Sequence, residues 1–140
     1  LRFTLHRAVD RLGTVTDETA ELMDLLRLSH VCDSAAANLT YSEQRALEIG
    51  MALTSNPRIL LLDEPTAGMS HQESNYMVNL VRRLTVGRTL LVVEHDMDVV
   101  FSLCDRISVL VYGEIIASGT PEAIRGDRRV QEAYLGTGAA

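Results

Sequence analysis

Two short, continuous runs of aliphatic residues place the strongest constraint on how this chain can fold. The first predicts a strand over residues 58–62, and the second predicts a strand over Thr89–Val93. Neither run alternates polar with apolar residues, so each suits a strand that is buried on both faces of a parallel sheet. Between the two runs lies a helical pattern, which is long enough to connect two parallel strands by a crossover. The sequence therefore predicts an α/β fold with a mostly parallel sheet.

Apolar spacing and capping residues predict the helices around these strands. A helix that Thr16 or Asp17 can cap should run to about Leu28, and residues 1–15 show no clean period. The other expected elements are a helix from about Ser42 to Thr54 that buries Ala46, Ile49, Gly50 and Leu53, a helix capped by Ser70 that buries Met77, Leu80, Val81 and Leu84, a helix over 97–104, strands over 107–111 and 115–118, and a short helix from Pro121. The last two strands should form a C-terminal hairpin.

Acidic residues follow both predicted parallel strands. Asp63 and Glu64 end the first strand, and Glu94-His95-Asp96 follows the second. The carboxyl ends of parallel strands lie at one edge of a sheet, so Glu64 and His95 could approach a common ligand there. One acid could hold a hydrated metal ion while the next orients a water, and the histidine could contact a phosphate. The alternatives are a charged turn after the first strand and a surface or capping histidine after the second.

A third polar group lies at the start of the second predicted helix. Thr40 and Ser42 place hydroxyls beside the free N–H groups of a helix N-terminus, which attracts anions. The alternative is an ordinary helix start, in which Ser42 is the cap and Arg45 is merely solvated.

These groups together resemble the motifs of the ATP-binding-cassette (ABC) ATPases. The segment Leu39–Arg45 resembles their signature motif, and Leu60–Thr66 resembles their Walker B strand. Residues 67–70 then fall at the D-loop, and His95 falls at the switch histidine. The likeness runs from about residue 17 to the C-terminus, and its last part is most similar to the ATPase subunits of branched-chain amino-acid importers, with urea and short-amide importers as close relatives.

The resemblance implies a role for each matched residue. Asp63 would hold Mg²⁺, usually through water, and Glu64 would be the general base or water-positioning residue. His95 would contact the γ-phosphate, and Ser70 would lie at the dimer interface. The signature residues expected to face the ATP bound to the opposite subunit are Leu39, Thr40, Tyr41, Ser42, Glu43 and Gln44.

The resemblance also implies partners and a location. The expected protein pairs with a second ATPase subunit and with integral membrane permease subunits, at the cytoplasmic face of the cell membrane. The net charge of -6 argues against a primary nucleic-acid binder. No apolar run approaches the roughly 18–20 residues that span a bilayer, and the two distant cysteines suit reduced thiols. A non-transport ABC ATPase acting in DNA repair or translation remains an alternative.

Three departures from the family pattern affect these expectations. Ser42 replaces the second glycine of the signature, and Ser70 replaces an acid or amide of the D-loop. The 140 residues contain no G-x-x-x-x-G-K-[ST] phosphate loop and no lysine. We therefore expect the C-terminal part of a P-loop NTPase domain, with residues 1–55 from the helical subdomain, 56–120 from the ATPase core and 121–140 as a helical tail. Alone, it should bind ATP poorly, and an inactive truncated remnant is a further alternative.

Overall fold

A computed structural model describes residues 17–136 of the chain. The possible cap at Thr16 and the unassigned residues 1–15 lie outside that range, as do residues 137–140. The chain is helical from the first described residue to residue 25, which we call α1. The remaining elements are 3₁₀ turns at Ser29–Val31 and Ala36–Asn38, α2 (Tyr41–Leu53), β1 (Ile59–Asp63), α3 (His71–Leu84), β2 (Thr89–Val93), α4 (Met97–Leu103), β3 (Ile107–Val111), β4 (Glu114–Gly119), α5 (Pro121–Gly126) and α6 (Arg128–Gly136).

The chain forms two compact units, of which the first reaches Leu91 and the second begins at Val92. The core of the first unit comes from α2, α3, β1 and the turn after α1. It is formed by Leu26, Leu28, Ala46, Ile49, Leu53, Leu60, Met77, Val78, Leu80, Val81 and Leu84. The faces predicted for α2 and α3 are therefore the buried ones, since apolar residues at helical spacing have only one side on which to bury together.

The strands β1 and β2 pair side by side in a parallel sheet. The prediction that they are buried on both faces is wrong. Leu60 is 3% exposed, but Ile59, Leu61 and Leu91 are 56%, 68% and 57% exposed. An apolar run shows only that a strand is suited to burial, and the covering layer must come from other segments. Within the described part of the first unit, that cover exists on one face.

The loop between α3 and β2 is fixed by Arg88. This residue joins the loop to the end of α3 and to the segment just before β1. Its guanidinium donates to the carbonyl of Pro57 at 3.2 Å, to the carbonyl of Leu84 at 3.0 Å and to Oδ1 of Asn56 at 3.0 Å. The Thr89 amide donates to the Arg58 carbonyl at 2.9 Å, where the two strands begin. These bonds, all within the first unit, fix where β1 and β2 start.

The second unit is built around the predicted hairpin. β3 and β4 are antiparallel, and Tyr112 and Gly113 both have positive φ, of 49° and 85°. Two consecutive positive φ values are typical of the tight turns that join twisted strands. The α-helices of this unit cover the hairpin with a core formed by Val100, Ile107, Ala117, Ile124 and Val130. No helix within residues 17–136 combines the length and the apolar character that crossing a membrane requires.

Candidate functional site

The acidic end of β1 leads into a sharp turn at Glu64. Asp63 is the last residue of the strand, and Glu64 has a φ of 44°, in the left-handed region that residues with side chains rarely adopt. The Ala67 amide donates to the Glu64 carbonyl at 3.1 Å, and the Met69 amide donates to the Thr66 carbonyl at 3.2 Å. Backbone strain of this kind concentrates at functional sites. Nothing in the apolar run signalled this conformation.

The two residues that follow Glu64 within the turn are buried. Pro65 is buried and Thr66 is only 6% exposed, while Asp63 and Glu64 are both exposed to solvent. Among residues 17–136, the structure contains no group of three or more His, Cys, Asp and Glu side chains that could enclose a metal. Mg²⁺ usually takes only one or two carboxylates and completes its shell with water and substrate phosphates. The exposed Asp63 carboxylate fits that kind of donor set.

The signature segment forms the N-terminus of α2, with Thr40 as its cap. Thr40 has extended backbone angles, its amide donates to Glu43 Oε2 at 2.8 Å, and the Glu43 amide donates to Thr40 Oγ1 at 3.4 Å. This reciprocal arrangement is a capping box. The alternative in which Ser42 is the cap is therefore wrong. Ser42 is the second residue of α2, where the helical backbone does not need the conformational freedom of glycine.

Other polar side chains of the signature segment contact α2 itself or the turn that precedes it. The side-chain Nε2 of Gln44 donates to the carbonyls of Ala36 at 3.3 Å and Leu39 at 3.1 Å. The Arg45 guanidinium lies 5.5 Å from the ring centroid of Tyr41 and donates to its hydroxyl at 3.3 Å. Arg45 is thus not merely solvated. Tyr41, which is 47% exposed, is held at the helix end by this contact.

Glu43 adds negative charge to the helix start. The Thr40 hydroxyl donates to its carboxylate at 2.7 Å and is the main reason why the pKa of Glu43 lies below its usual value. The Thr40 amide and the nearby His30 lower that pKa further, and His30 Nε2 is 3.1 Å from Glu43 Oε1. The carboxylate is therefore ionised at neutral pH and stabilised by the helix N-terminus.

The predicted cap of α3, Ser70, is confirmed. The Ser70 amide and hydroxyl donate to Glu73 Oε2 at 2.9 and 2.7 Å, and the Glu73 amide donates to Ser70 Oγ at 3.4 Å. The part of the first unit that the structure describes, residues 17–91, thus contains two capping boxes, and each follows a [ST]-x-x-E pattern that is readable in the sequence. Sequence reasoning singled out Ser70 and Glu43 but missed Glu73.

His95 belongs to the second unit, where it precedes α4. Asp96 caps that helix, with its Oδ1 accepting from the amides of Asp98 at 2.9 Å and Val99 at 3.3 Å. His95 is exposed, and its own amide donates to the Glu94 carboxylate at 3.2 Å. The histidine is therefore not the helix cap. Its approach to Glu64 around a common ligand stays a prediction.

Two family models match the chain. The model described as "ABC transporter" matches residues 3–67, and the model described as "Branched-chain amino acid ATP-binding cassette transporter" matches residues 114–140. The chain is 39% identical over 122 residues to the high-affinity branched-chain amino acid transport ATP-binding protein LivG of Escherichia coli strain K12. It is 40% identical over 119 residues to BraF, the protein of the same description from Pseudomonas aeruginosa. These matches cover 86% and 84% of the chain, but 48% and 47% of the relatives.

Solved structures of ATP-binding cassettes share this fold. One cassette of an ABC transporter is 31% identical with a TM-score of 0.76, and the match covers 85% of this chain and 49% of that one. A nucleotide-free cassette is 31% identical with a TM-score of 0.74, over 84% of this chain and 49% of that one. The chain thus spans about half the length of the proteins it matches, and the predicted α/β fold of P-loop NTPase type is confirmed. By these matches, the chain is similar to the ATP-binding proteins of the ABC transporter family, including those for branched-chain amino acids.

Proposed function

We propose that this chain is part of an ATPase subunit that hydrolyses ATP to drive import of branched-chain amino acids through membrane permeases. The observation that carries the proposal is the capped signature helix followed by the strained acidic turn at Glu64, in a chain 39% identical to LivG. Phosphoryl transfer relies on the positioning of groups and on electrostatic stabilisation. The capped start of α2 and the acidic turn at Glu64 would both contribute to these.

Each candidate residue has a role in this proposal. The Glu64 carboxylate would orient the attacking water, and Asp63 would hold Mg²⁺ through water. His95 would donate a hydrogen bond to the γ-phosphate. Mg²⁺, when bound, would offset the negative charge of the phosphates. The signature residues Leu39–Gln44 would face ATP on a second ATPase subunit, with Ser70 at the interface, on the inner face of the cell membrane.

The phosphate-binding loop is the element that this proposal requires from outside the 140 residues. A strand-to-helix loop rich in glycine, with a lysine, normally provides the backbone N–H groups and the charge that hold the phosphates. Because the chain has no lysine and no such motif, we propose that it binds ATP poorly by itself. An ATP titration of the 140-residue chain that gave micromolar affinity would contradict this.

The decisive experiment uses the product of the full coding region, including whatever lies in frame ahead of Leu1. We expect it to hydrolyse ATP, and we expect Glu64→Gln to bind ATP normally without turnover. Glu114→Gln changes a glutamate in the hairpin of the second unit and is the matched control, with activity unchanged. Normal hydrolysis by Glu64→Gln would remove Glu64 from the proposed role, and an in-frame stop codon ahead of Leu1 would favour an inactive remnant.

The substrate is tested separately. Proteoliposomes that contain the ATPase and its neighbouring permeases should take up leucine, isoleucine or valine when ATP is supplied on the side of the membrane that carries the ATPase. Uptake of urea or a short amide, and not of these amino acids, would assign the chain to the related importers instead.

A further inference from the structure

An open pocket of about 350 Å³ lies in the first unit, where the turn after α1 meets α3. Its lining is formed by Arg27, Tyr76, Asn79, Leu80 and Arg83. None of these residues belongs to the signature segment, to the acidic turn or to residues 67–70. Leu80 is buried, Tyr76 is half-buried, and the two arginines and Asn79 are exposed. The volume is at the lower end of the range for small-molecule sites, roughly 300–1,000 Å³.

The backbone of the turn after α1 places Arg27 in this pocket. The Leu28 amide donates to the Met23 carbonyl at 2.8 Å, and the Arg27 amide donates to the Asp24 carbonyl at 2.9 Å. These bonds form a Schellman motif, in which the residue at the position of Arg27 is usually glycine. Arg27 has a φ of 56°, a conformation that is less favourable for an arginine than for a glycine. Its guanidinium lies over the Tyr76 ring, with Cζ 5.6 Å from the ring centroid.

Two side chains of α3 bind the same turn. The Tyr76 hydroxyl donates to the Leu26 carbonyl at 2.7 Å, and Nη2 of Arg83 donates to the Leu25 carbonyl at 3.1 Å. Because these carbonyls belong to consecutive residues, the Tyr76 hydroxyl and the Arg83 guanidinium lie close together at the end of α1. Both arginines therefore lie beside Tyr76, one attached through its ring and the other through the neighbouring carbonyl.

These two arginines have no negative partner in the described structure. Within residues 17–136, neither guanidinium forms an ion pair with a carboxylate. Burial raises the pKa of Tyr76, and the positive charges of Arg27 and Arg83 oppose that rise. The Glu43 carboxylate also acts on Tyr76, but its oxygens are already hydrogen-bonded within its own capping box. Like charges repel, so an anion in the pocket would stabilise both guanidinium groups.

We propose that this pocket binds a phosphate group. A guanidinium group can donate two parallel N–H bonds to an oxyanion, and two such groups together match the charge of a phosphate dianion better than that of a single carboxylate. Within the described residues no hydrogen bond uses the Arg27 guanidinium, and Arg83 uses Nη2 alone. The same phosphate chemistry is offered by a soluble phosphate ester and by the head group of an anionic phospholipid.

The first test is a titration of the 140-residue chain with inorganic phosphate at constant ionic strength, followed by NMR of the arginine Nε–H groups. We expect saturable shifts at Arg27 and Arg83, and an affinity about tenfold or more weaker in Arg83→Gln. Arg125→Gln is the matched control, because its guanidinium also lies over a ring, 4.3 Å from the centroid of Phe101 in the second unit. It should leave the affinity unchanged. Shifts that do not saturate, or that chloride reproduces, would overturn the proposal.

Arg27→Gly separates binding from folding. Glycine suits the positive φ at this position, so the variant should unfold at no lower urea concentration than the wild type. It should nevertheless bind inorganic phosphate about tenfold or more weakly, since one of the two guanidinium groups is lost. Wild-type affinity for phosphate in Arg27→Gly would overturn the proposal.

Two further measurements identify the source of the phosphate. Glycerol 3-phosphate provides a soluble monoester, and phosphatidylcholine vesicles with or without phosphatidic acid present the same group at a membrane surface. Competition between glycerol 3-phosphate and inorganic phosphate supports a soluble ligand. Binding to the vesicles that contain phosphatidic acid, and its loss in Arg27→Gly, supports a lipid head group. Failure of both would overturn the proposal, and neither measurement uses ATP, so the result is independent of the proposed ATPase function.

Discussion

Gly50 lies in the middle of α2 and leaves no space for a side chain. A Cβ at this position would overlap Cδ1 of Leu26, a side chain that is only 1% exposed. Glycine is a poor helix former, so Gly50→Ala should by itself stabilise α2 by about 1 kcal/mol. Forcing extra volume into a packed core costs about 1–3 kcal/mol. The buried Leu26 side chain has little room to move away, and we therefore expect a net loss of about 1–2 kcal/mol.

Removing Leu26 reverses the sign of this effect. Leu26→Ala alone should lower the free energy of unfolding by about 2–5 kcal/mol, because it leaves a cavity. In that background the overlapping atom is absent, so Gly50→Ala should raise the free energy of unfolding by about 1 kcal/mol. A double-mutant cycle isolates this coupling, since the two side chains are in contact.

The assay is urea unfolding of the four variants, followed by circular dichroism. Gly126→Ala is the matched control, because an added Cβ at the end of α5 meets nothing within 4 Å. It should be neutral or slightly stabilising in both backgrounds. If Gly50→Ala were as stable as the wild type, or had the same effect with and without Leu26, the packing described here for α2 against the turn after α1 would be refuted.

Three further predictions follow from the contacts of the first unit. Thr40→Ala should lower the free energy of unfolding by about 0.5–2 kcal/mol through loss of the helix cap, whereas Thr40→Ser should retain most of it, as measured by urea unfolding. Because its folded pKa is lowered, Glu43 should stabilise the fold above its ordinary pKa of 4.5 and lose that effect as the pH falls through the folded value. The stability difference between wild type and Glu43→Gln should therefore shrink in acid, and a constant difference would contradict it. Arg88→Lys should lower the unfolding midpoint, since an ammonium group cannot reach the Pro57 and Leu84 carbonyls together in the geometry of the guanidinium.

Much of the local structure was determined by the sequence. The strand Thr89–Val93 and the helix His71–Leu84 have the predicted bounds, and Ser70 is the predicted cap. Apolar periodicity and capping act within a few residues, so a linear sequence is enough to locate them. The motif order also identified the family, because the spacing of the signature and the acidic strand end is itself a sequence property.

Tertiary structure decided the features that depend on neighbours distant in sequence. Ile59, Leu61 and Leu91 are exposed, although their runs suit full burial, because cover for a sheet face must come from another layer. Glu64 adopts a left-handed conformation in the turn after β1, with a φ of 44°. The sequence located the chemical groups along the chain, and the fold determined which of them meet.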